Sequence, residues 1–478
     1  MHDLNWAQTD FTEQSQAFAE KIFADVRLLS QSPAPLTGVT RTSYSSEEGR
    51  VLKYLSDVCC GLGLQVETDP AGNVWGTLRG SDPELPAVVS GSHCDSVPDG
   101  GNYDGLAGIV AALCTARWMQ YLGFSPKRDF RVVIMRGEEE GLLGSLGMLG
   151  QLTEDDLSRR MRSGSAGPTL RELLTGIGVE PAAVSSGKHC VDFAKIAAFI
   201  EVHIEQSARL DNAVTDRVGV VTGIRGLIRH RTIQAIGETA HAGAVDFPYR
   251  KDAALACARF SSRLYDFWQH ELSLGRDLVA TTGVIRTSPS ASMNKIAGEC
   301  IVSLDARSLS AAELNLFEKK VEAILQETAE ETGVIFKTDP LMRIAPVEAD
   351  EGVMKKLETS ADILKIGTQR MPSGAGHDAV NFAAAGVPFA MLFVANRFGS
   401  HNPNEYMAMD DFLNAAGILA RTVMDFDRSA SCRSDNQLPI SAFKRTLTPK
   451  QQKSRALMRL MSCAARGLAR NFLAQAAA

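Results

Sequence analysis

Four short stretches of this sequence concentrate side chains able to bind metals or move protons. Residues 91–105 carry His93, Asp95 and Asp104, and residues 136–141 carry three successive glutamates, Glu138, Glu139 and Glu140. Residues 201–206 contain His203, and residues 400–403 contain His401. Three imidazoles among several carboxylates form a donor set suited to zinc, manganese and similar divalent ions. Three histidines, a glutamate and an aspartate exceed the three protein ligands that one open catalytic zinc normally takes. They suit two metals that share a carboxylate and an activated water. Of the adjacent Glu139 and Glu140, one would coordinate and the other would take the proton. Taken singly, each stretch has an ordinary explanation. A His-x-Asp pair is more often a structural contact, and a glutamate run is usually a solvated face. Their joint placement carries the argument.

Each cluster falls at the end of an expected strand or in the loop after it. Apolar runs at 73–78, 87–90 and 130–135 read as strands, and the Ala-rich segment 106–121 between the last two reads as a helix. Amphipathic helices are expected at 12–30 and 47–64, another strand at 196–203, and later a helix at 351–364, a strand at 389–394 and a helix at 410–426. This rhythm is that of an α/β layered domain, whose ligands gather beyond the carboxyl ends of the strands. Between these parts, strands near 219–223, 230–235, 279–285 and 300–305 alternate with helices at 252–272 and 311–332. That order points to a smaller inserted α+β domain of ferredoxin-like type. The expected organisation is a catalytic domain at 1–214 and 336–427, an inserted lid and dimerisation domain at 215–335, and a basic tail at 428–478.

Composition narrows the function classes. The 478 residues are 45% hydrophobic and 22% charged with a net charge of −6, which gives no sign of a nucleic-acid binder. The last fifty residues concentrate basic charge, with one apolar stripe that could dock on a partner or an anionic surface. Nine scattered cysteines without a C-x-x-C pair argue against a disulfide framework or a zinc ribbon. Together with a start that lacks a secretory pattern, they lead to a cytoplasmic expectation. No apolar run approaches the roughly 18 residues of a membrane span.

The motifs also carry a resemblance. Gly91-Ser92-His93-Cys94-Asp95 with Gly101-Asn102-Tyr103-Asp104-Gly105 resembles the first metal motif of the M20-type amidohydrolases. The hydantoinase/carbamoylase branch is the most similar, the branch of N-carbamoyl-L-amino acid hydrolases, β-ureidopropionases and allantoate amidohydrolases. His203-Ile204-Glu205-Gln206, Ala240-His241-Ala242-Gly243, the stretch Pro372 to Ala379 and Ser400-His401 extend the likeness over roughly residues 15–427.

The resemblance implies one metal on His93, Asp104 and His203 and another on Asp104, Glu140 and His401, with Asp104 bridging. It makes Asp95 the carboxylate that orients His93, Glu139 the general base, and His241 the oxyanion-stabilising histidine reaching in from the partner subunit's lid. Asn294 and Arg307 would bind the substrate carboxylate, and Gln206, Gly376 and His377 would line the same pocket. Two divalent ions are implied, zinc first, with manganese, cobalt or nickel as alternatives. The implied protein is a homodimer acting on a small carboxylate.

Two segments depart from the family pattern. Ala244-Val245-Asp246-Phe247 stands where Thr-Thr-Pro-Met is usual, and Leu142-Leu143-Gly144 where Ser-Arg-Phe is usual. The implied reaction is hydrolysis of a linear, non-peptide C–N bond in an N-carbamoyl or ureido compound. The alternatives are an N-acyl amino acid deacylase or dipeptidase with the same chemistry, or a non-catalytic binding protein on the same fold.

Overall fold

The computed structural model describes residues 6–161 and 167–426, so the basic stretch 428–478 lies outside the described residues. The chain divides into two units. One comprises the described residues up to Arg225 and from Val347 onward, and the other is Gly226–Pro346.

In the first unit, α1 (Gln8–Ser30) and α2 (Ser46–Gly61) precede β1 (Gln65–Thr68), β2 (Val74–Leu78) and β3 (Ala87–His93). Then come α3 (Leu106–Tyr121), β4 (Phe130–Met135), β5 (Ile196–Ile204) and β6 (Val218–Ile224). The sheet runs β1-β2-β4-β3-β5, then Phe389–Val394, β6 and Val347–Glu348, with Thr368–Ser373 also paired to β6. Its centre, β4-β3-β5 and Phe389–Val394, is parallel, while β2 and β6 flank it antiparallel. Every residue of β3 and of Phe389–Val394 is buried, as expected of parallel strands covered on both faces. The crossover α3 is buried over nearly its whole length and packs on α1 and on the helix Met409–Asp425. Its Ala-rich sequence permits that close approach.

β3 runs three residues beyond the expected 87–90. Its polar residues can be buried because the Ser90 hydroxyl donates to the Ile200 carbonyl at 2.7 Å and the Ser92 hydroxyl to Glu201 at 2.7 Å. His93 is therefore the last residue of the strand and is fixed by the sheet.

The second unit has the order βαββαβ. An antiparallel sheet places Ile285–Thr287, Glu299–Ser308, Gly226–Ile236 and Ile335–Thr338 side by side, and Val279–Thr281 and Met342–Ile344 extend its ends. The helices Ala253–Ser273 and Ala311–Thr332 pack together over it, around Phe260, Leu264, Val302, Leu304, Phe317 and Val321. This is the ferredoxin-like arrangement. Strand Glu299–Ser308 alternates half-buried and buried residues along its length, so Asp305 and Arg307 share the half-buried face.

The unit starts and ends later than the expected 215–335. β6 stays in the large sheet, paired with Phe389–Val394, whereas residues 335–344 pair with Gly226–Ile236.

Candidate metal centre

The carboxyl ends of the four parallel strands carry the candidate side chains. His93 closes β3, His203 is the penultimate residue of β5, the glutamate run follows β4, and His401 follows Phe389–Val394. Asp104 sits just before α3, where the partial positive charge of a helix N-terminus favours an anion.

Two groups of three donors converge. His93, Asp104 and His203 form one, and Asp104, Glu139 and His401 the other. Asp104 belongs to both through different oxygens. Its Oδ1 lies 3.0 Å from His203 Nε2 and 3.8 Å from His93 Nε2, and its Oδ2 lies 3.3 Å from His401 Nε2. Glu139 Oε2 completes the second group at 3.2 Å from His401 Nε2.

Backbone and carboxylate partners behind the histidines set their tautomers. His203 Nδ1 lies 2.9 Å from the Ile204 carbonyl, and His93 Nδ1 lies 3.3 Å from the Asp95 carbonyl and 3.4 Å from Asp95 Oδ1. With the proton on Nδ1, each Nε2 lone pair faces the site, the arrangement metal-binding histidines use.

The glutamate run sits one residue away from the order expected of it. Glu139, not Glu140, joins Asp104 and His401, and Glu138 lies 3.9 Å from His93 Nε2. Asp95 causes this. Its two carboxylate oxygens accept the backbone N–H groups of Glu138 (3.1 Å) and Glu139 (3.2 Å), drawing those two residues inward. The Glu138 carbonyl then accepts from Gly141 and Leu142, each at 2.8 Å, so the chain turns at Glu140. The Glu140 carbonyl is held by the Arg159 guanidinium at 2.5 Å, and Glu140 belongs to neither donor group.

Further polar neighbours complete the site. The Ser400 hydroxyl lies between Asp104 and Glu405, donating to Asp104 Oδ2 and lying 3.1 Å from Glu405 Oε2. Glu405 also accepts from the backbone N–H of Tyr103 (2.8 Å) and of Asp104 (3.3 Å), holding the turn that carries Asp104. Burial and then the Asp104 charge push its carboxyl up to about 7. Gln206 donates to Asp104 Oδ2 at 3.2 Å.

His377, expected to line the substrate pocket, is 1% exposed. Its ring packs edge-on against His203 with centroids 4.5 Å apart, and its Nε2 meets the Ser373 hydroxyl at 2.8 Å. Burial and the neighbouring His203 hold it well below the ordinary imidazole range, so it is a neutral support for His203. Gly376 beside it is exposed.

Close packing explains one glycine. Gly105 has φ +67°, and a Cβ there would lie 2.5 Å from His93 Cε1 and Nε2. Gly105→Ala is expected to push His93 off Asp104, destabilise the fold by about 1–3 kcal/mol, and reduce metal uptake. Melting temperature and metal content, measured together, check this.

The electrostatics call for cations. Burial alone would depress the imidazoles of His93 and His203, yet the surrounding carboxylates raise both, Glu138 foremost for His93 and Asp104 for His203. Hydrogen bonds to Asp104 and Glu139 push His401 up to about 10. Burial raises Glu138 well above the carboxylate range, reinforced by Asp378 and Glu139 and opposed by His93. Glu139 Oε1 is buried with no hydrogen-bond partner among the described residues. Divalent cations fit this set. They would satisfy the orphaned oxygen and neutralise the crowded carboxylates.

A sequence profile of Peptidase family M20/M25/M40 matches residues 89–425. The chain belongs to this family. Membership implies a dimetal site, and the two donor groups sharing Asp104 offer candidate ligands for it. The chain is 32% identical over 419 residues to an N-carbamoyl-L-amino-acid amidohydrolase of Paenarthrobacter aurescens, covering 86% of this chain and 99% of that one. It is 32% identical over 409 residues to a ureidoglycolate hydrolase of Oryza sativa subsp. japonica, covering 82% and 81%. A solved hydantoinase/carbamoylase family amidase from Burkholderia ambifaria superposes with a TM-score of 0.76 at 27% identity, over 87% of this chain and 98% of that one. The inserted domain fits the same likeness.

The remaining expected residues lie in the second unit. His241 is exposed on the short strand Ala240–His241, paired with Lys295–Ile296, and the Asn294 carbonyl accepts from Ala242 at 2.9 Å. One ribbon therefore carries both His241 and Asn294. Arg307 donates from Nε to Asp305 at 2.7 Å, and Arg229 donates to the same carboxylate at 2.8 Å. Against burial, these two guanidinium groups hold Asp305 below the usual carboxylate range. Any substrate carboxylate at Arg307 competes with Asp305. Among the described residues, no helix is long and apolar enough to cross a membrane.

Proposed function

We propose that this chain hydrolyses a linear C–N bond of an N-carbamoyl- or ureido-substituted small carboxylate at a dimetal centre. The observation that carries this reading is Asp104, whose two oxygens serve two donor groups, with Glu138 beside them as a carboxylate outside both. The named activities of the P. aurescens and rice relatives support the substrate class. Zinc is the proposed metal because imidazole and carboxylate donors suit it.

When bound, the two cations supply an acidified water and polarise the scissile carbonyl. Glu138 takes the proton of that water and returns it to the leaving nitrogen, and Asp95 holds Glu138 in place through its backbone N–H. Asp104, Glu139, His93, His203 and His401 are the proposed ligands, with Gln206 steadying Asp104. His241 of the partner subunit would donate to the oxygen that becomes negative, and Arg307 would receive the substrate carboxylate with Asn294 as a further substrate contact, a guanidinium being suited to bidentate contact. Gly376 lines the approach.

A homodimer formed through the second unit is part of the proposal. The edge strand Ile285–Thr287 supports it, since all three residues are exposed and, among the described residues, one side of the strand has no pairing strand. A cytoplasmic setting is proposed on the seven described cysteines, all free thiols.

The test is ammonia release in a metal-supplemented assay over N-carbamoyl amino acids, allantoate and N-acyl amino acids. Ammonia is expected from the ureido compounds, since a released carbamate decomposes to ammonia and carbon dioxide. Hydrolysis confined to the N-acyl amino acids would overturn the substrate class. His241→Ala is expected to lower kcat by about 10²–10³-fold with metal content unchanged. Steady-state kinetics beside metal analysis checks this.

A further inference from the structure

Residues 38–43, between α1 and α2, show no metal-binding or catalytic pattern. In the fold they lie along the loop that separates His93 from Asp104 and bond to it at almost every step. Gly38 N–H donates to Asp99 Oδ1 at 2.7 Å, and Asp99 N–H to the Thr40 hydroxyl at 2.9 Å. Val39 and Gly100 exchange both backbone hydrogen bonds, each at 2.9 Å. Arg41 N–H donates to the Ser96 hydroxyl at 3.1 Å, and Ser96 N–H to the Arg41 carbonyl at 3.1 Å. The Ser43 hydroxyl reaches Asp95 Oδ2 at 2.7 Å.

Arg41 is the unusual member. It is 0% exposed, and among the described residues no carboxylate lies within ion-pair distance of it. The other arginine buried near the site, Arg136, forms such a pair with Glu48 at 2.5 Å. A fully buried cation without a paired anion is costly and rare. The Arg41 guanidinium spends its donors on the loop itself. Nε donates to the Cys94 carbonyl at 2.7 Å, Nη1 to Asn102 Oδ1 at 3.4 Å and Nη2 to the Asn102 carbonyl at 3.3 Å. Cys94 directly follows His93, and Asn102 lies two residues before Asp104. Burial depresses the guanidinium, and the nearby carboxylates of Glu405, Asp95 and Asp104 oppose that, helping to hold the cation there.

We propose that Arg41 is a positioning residue for the metal centre: its buried guanidinium ties the two ends of loop 94–102 together and so fixes His93 against Asp104. Its charge also offsets part of the repulsion among Asp95, Asp104 and Glu405. The proposal rests on the dimetal reading above. Packing by the aliphatic stem of Arg41 would not need the charge, so the two roles are separable.

The experiment compares the full chain with Arg41→Met and Arg41→Lys. Each is stripped with a chelator and titrated with zinc against a chromophoric competitor, and its melting temperature is recorded. Arg41→Met is expected to bind zinc about 10–100-fold more weakly, the loss typical of partners behind a metal ligand. Arg41→Lys, which keeps the charge and one donor, is expected to recover part of that affinity. A folded Arg41→Met protein that binds two zinc ions as tightly as the wild type overturns the proposal. So does a lower melting temperature with unchanged affinity. If Arg41→Met does not fold, Ser96→Ala decides, since it loosens the same loop and keeps the buried charge. A several-fold weaker affinity supports the proposal, and an unchanged one overturns it. Wild-type protein that takes up no zinc overturns the dimetal reading itself, and with it the role proposed for Arg41.

Discussion

Glu138→Gln is expected to lower kcat by about 10³-fold while the protein keeps both metals, because on the proposed mechanism it removes the base without removing a ligand. Glu138 stands beside His93, 3.9 Å from its Nε2, and outside both groups of three donors. Glutamine has the same shape and cannot accept the water proton. The change also removes one of several crowded anions, since Asp378, Glu139 and Asp95 all raise the Glu138 carboxyl. The melting temperature should therefore hold or rise. Glu139→Gln should behave differently. Glu139 is one of three donors around the second position, so that variant should lose metal there together with activity. Glu140→Gln should stay close to wild type, since Glu140 joins neither group. Steady-state kinetics and metal analysis of the three variants separate the roles. An inactive Glu140→Gln with an active Glu138→Gln would reinstate the order expected from the Glu-Glu-Gly pattern.

That register shows where sequence reasoning ends. Three identical residues in a row offer no contrast by which spacing can rank them. The register seen in the fold is braced by Asp95, which accepts the N–H groups of Glu138 and Glu139 across more than forty residues of chain. The elements around the site were far more legible. Helix Leu106–Tyr121 and strands Phe130–Met135 and Phe389–Val394 have the expected bounds, because long apolar runs leave little choice of period.

Strand Thr368–Ser373 was not legible, since only Met371 and Ser373 of its six residues are fully buried and its apolar alternation is correspondingly faint. Arg41 and Glu405 are illegible for a related reason. Each acts by a contact far along the chain, and neither stands in a local pattern that announces it. Asp99 likewise acts at a distance, its carboxylate accepting from Gly38 and helping to seat the loop. The inserted domain was legible as a type before its edges were. β6 is apolar enough for either sheet, and only its pairing with Phe389–Val394 assigns it to the large one.

Asp104→Asn is expected to have the largest effect of any single substitution, abolishing turnover and uptake of both metals. Its two oxygens do separate work, Oδ1 toward His203 and His93 and Oδ2 toward His401, Gln206 and Ser400. Burial would raise this carboxyl, but the neighbouring imidazoles, His203 foremost and then His401, hold it well below the usual range, so it stays an anion. Asparagine keeps the shape, loses the charge and turns one acceptor into a donor. That donor would face an imidazole nitrogen or the Gln206 amide, so one donor group loses a ligand whichever way the amide is turned. Metal affinity should fall by more than the roughly 100-fold that follows loss of a supporting partner.

Thermal unfolding gives a readout independent of activity. Metal held at about a thousand times its Kd stabilises a native protein by about 4 kcal/mol. Wild type should show a corresponding rise in melting temperature on zinc addition, and Asp104→Asn should show almost none. His401→Ala is the informative contrast. His401 is 49% exposed and belongs to one donor group only, so its loss should leave the metal at His93, Asp104 and His203 in place, with part of the thermal shift. Two metals per chain in Asp104→Asn, with the full thermal shift, would show that no carboxylate is shared and that the two groups are separate sites.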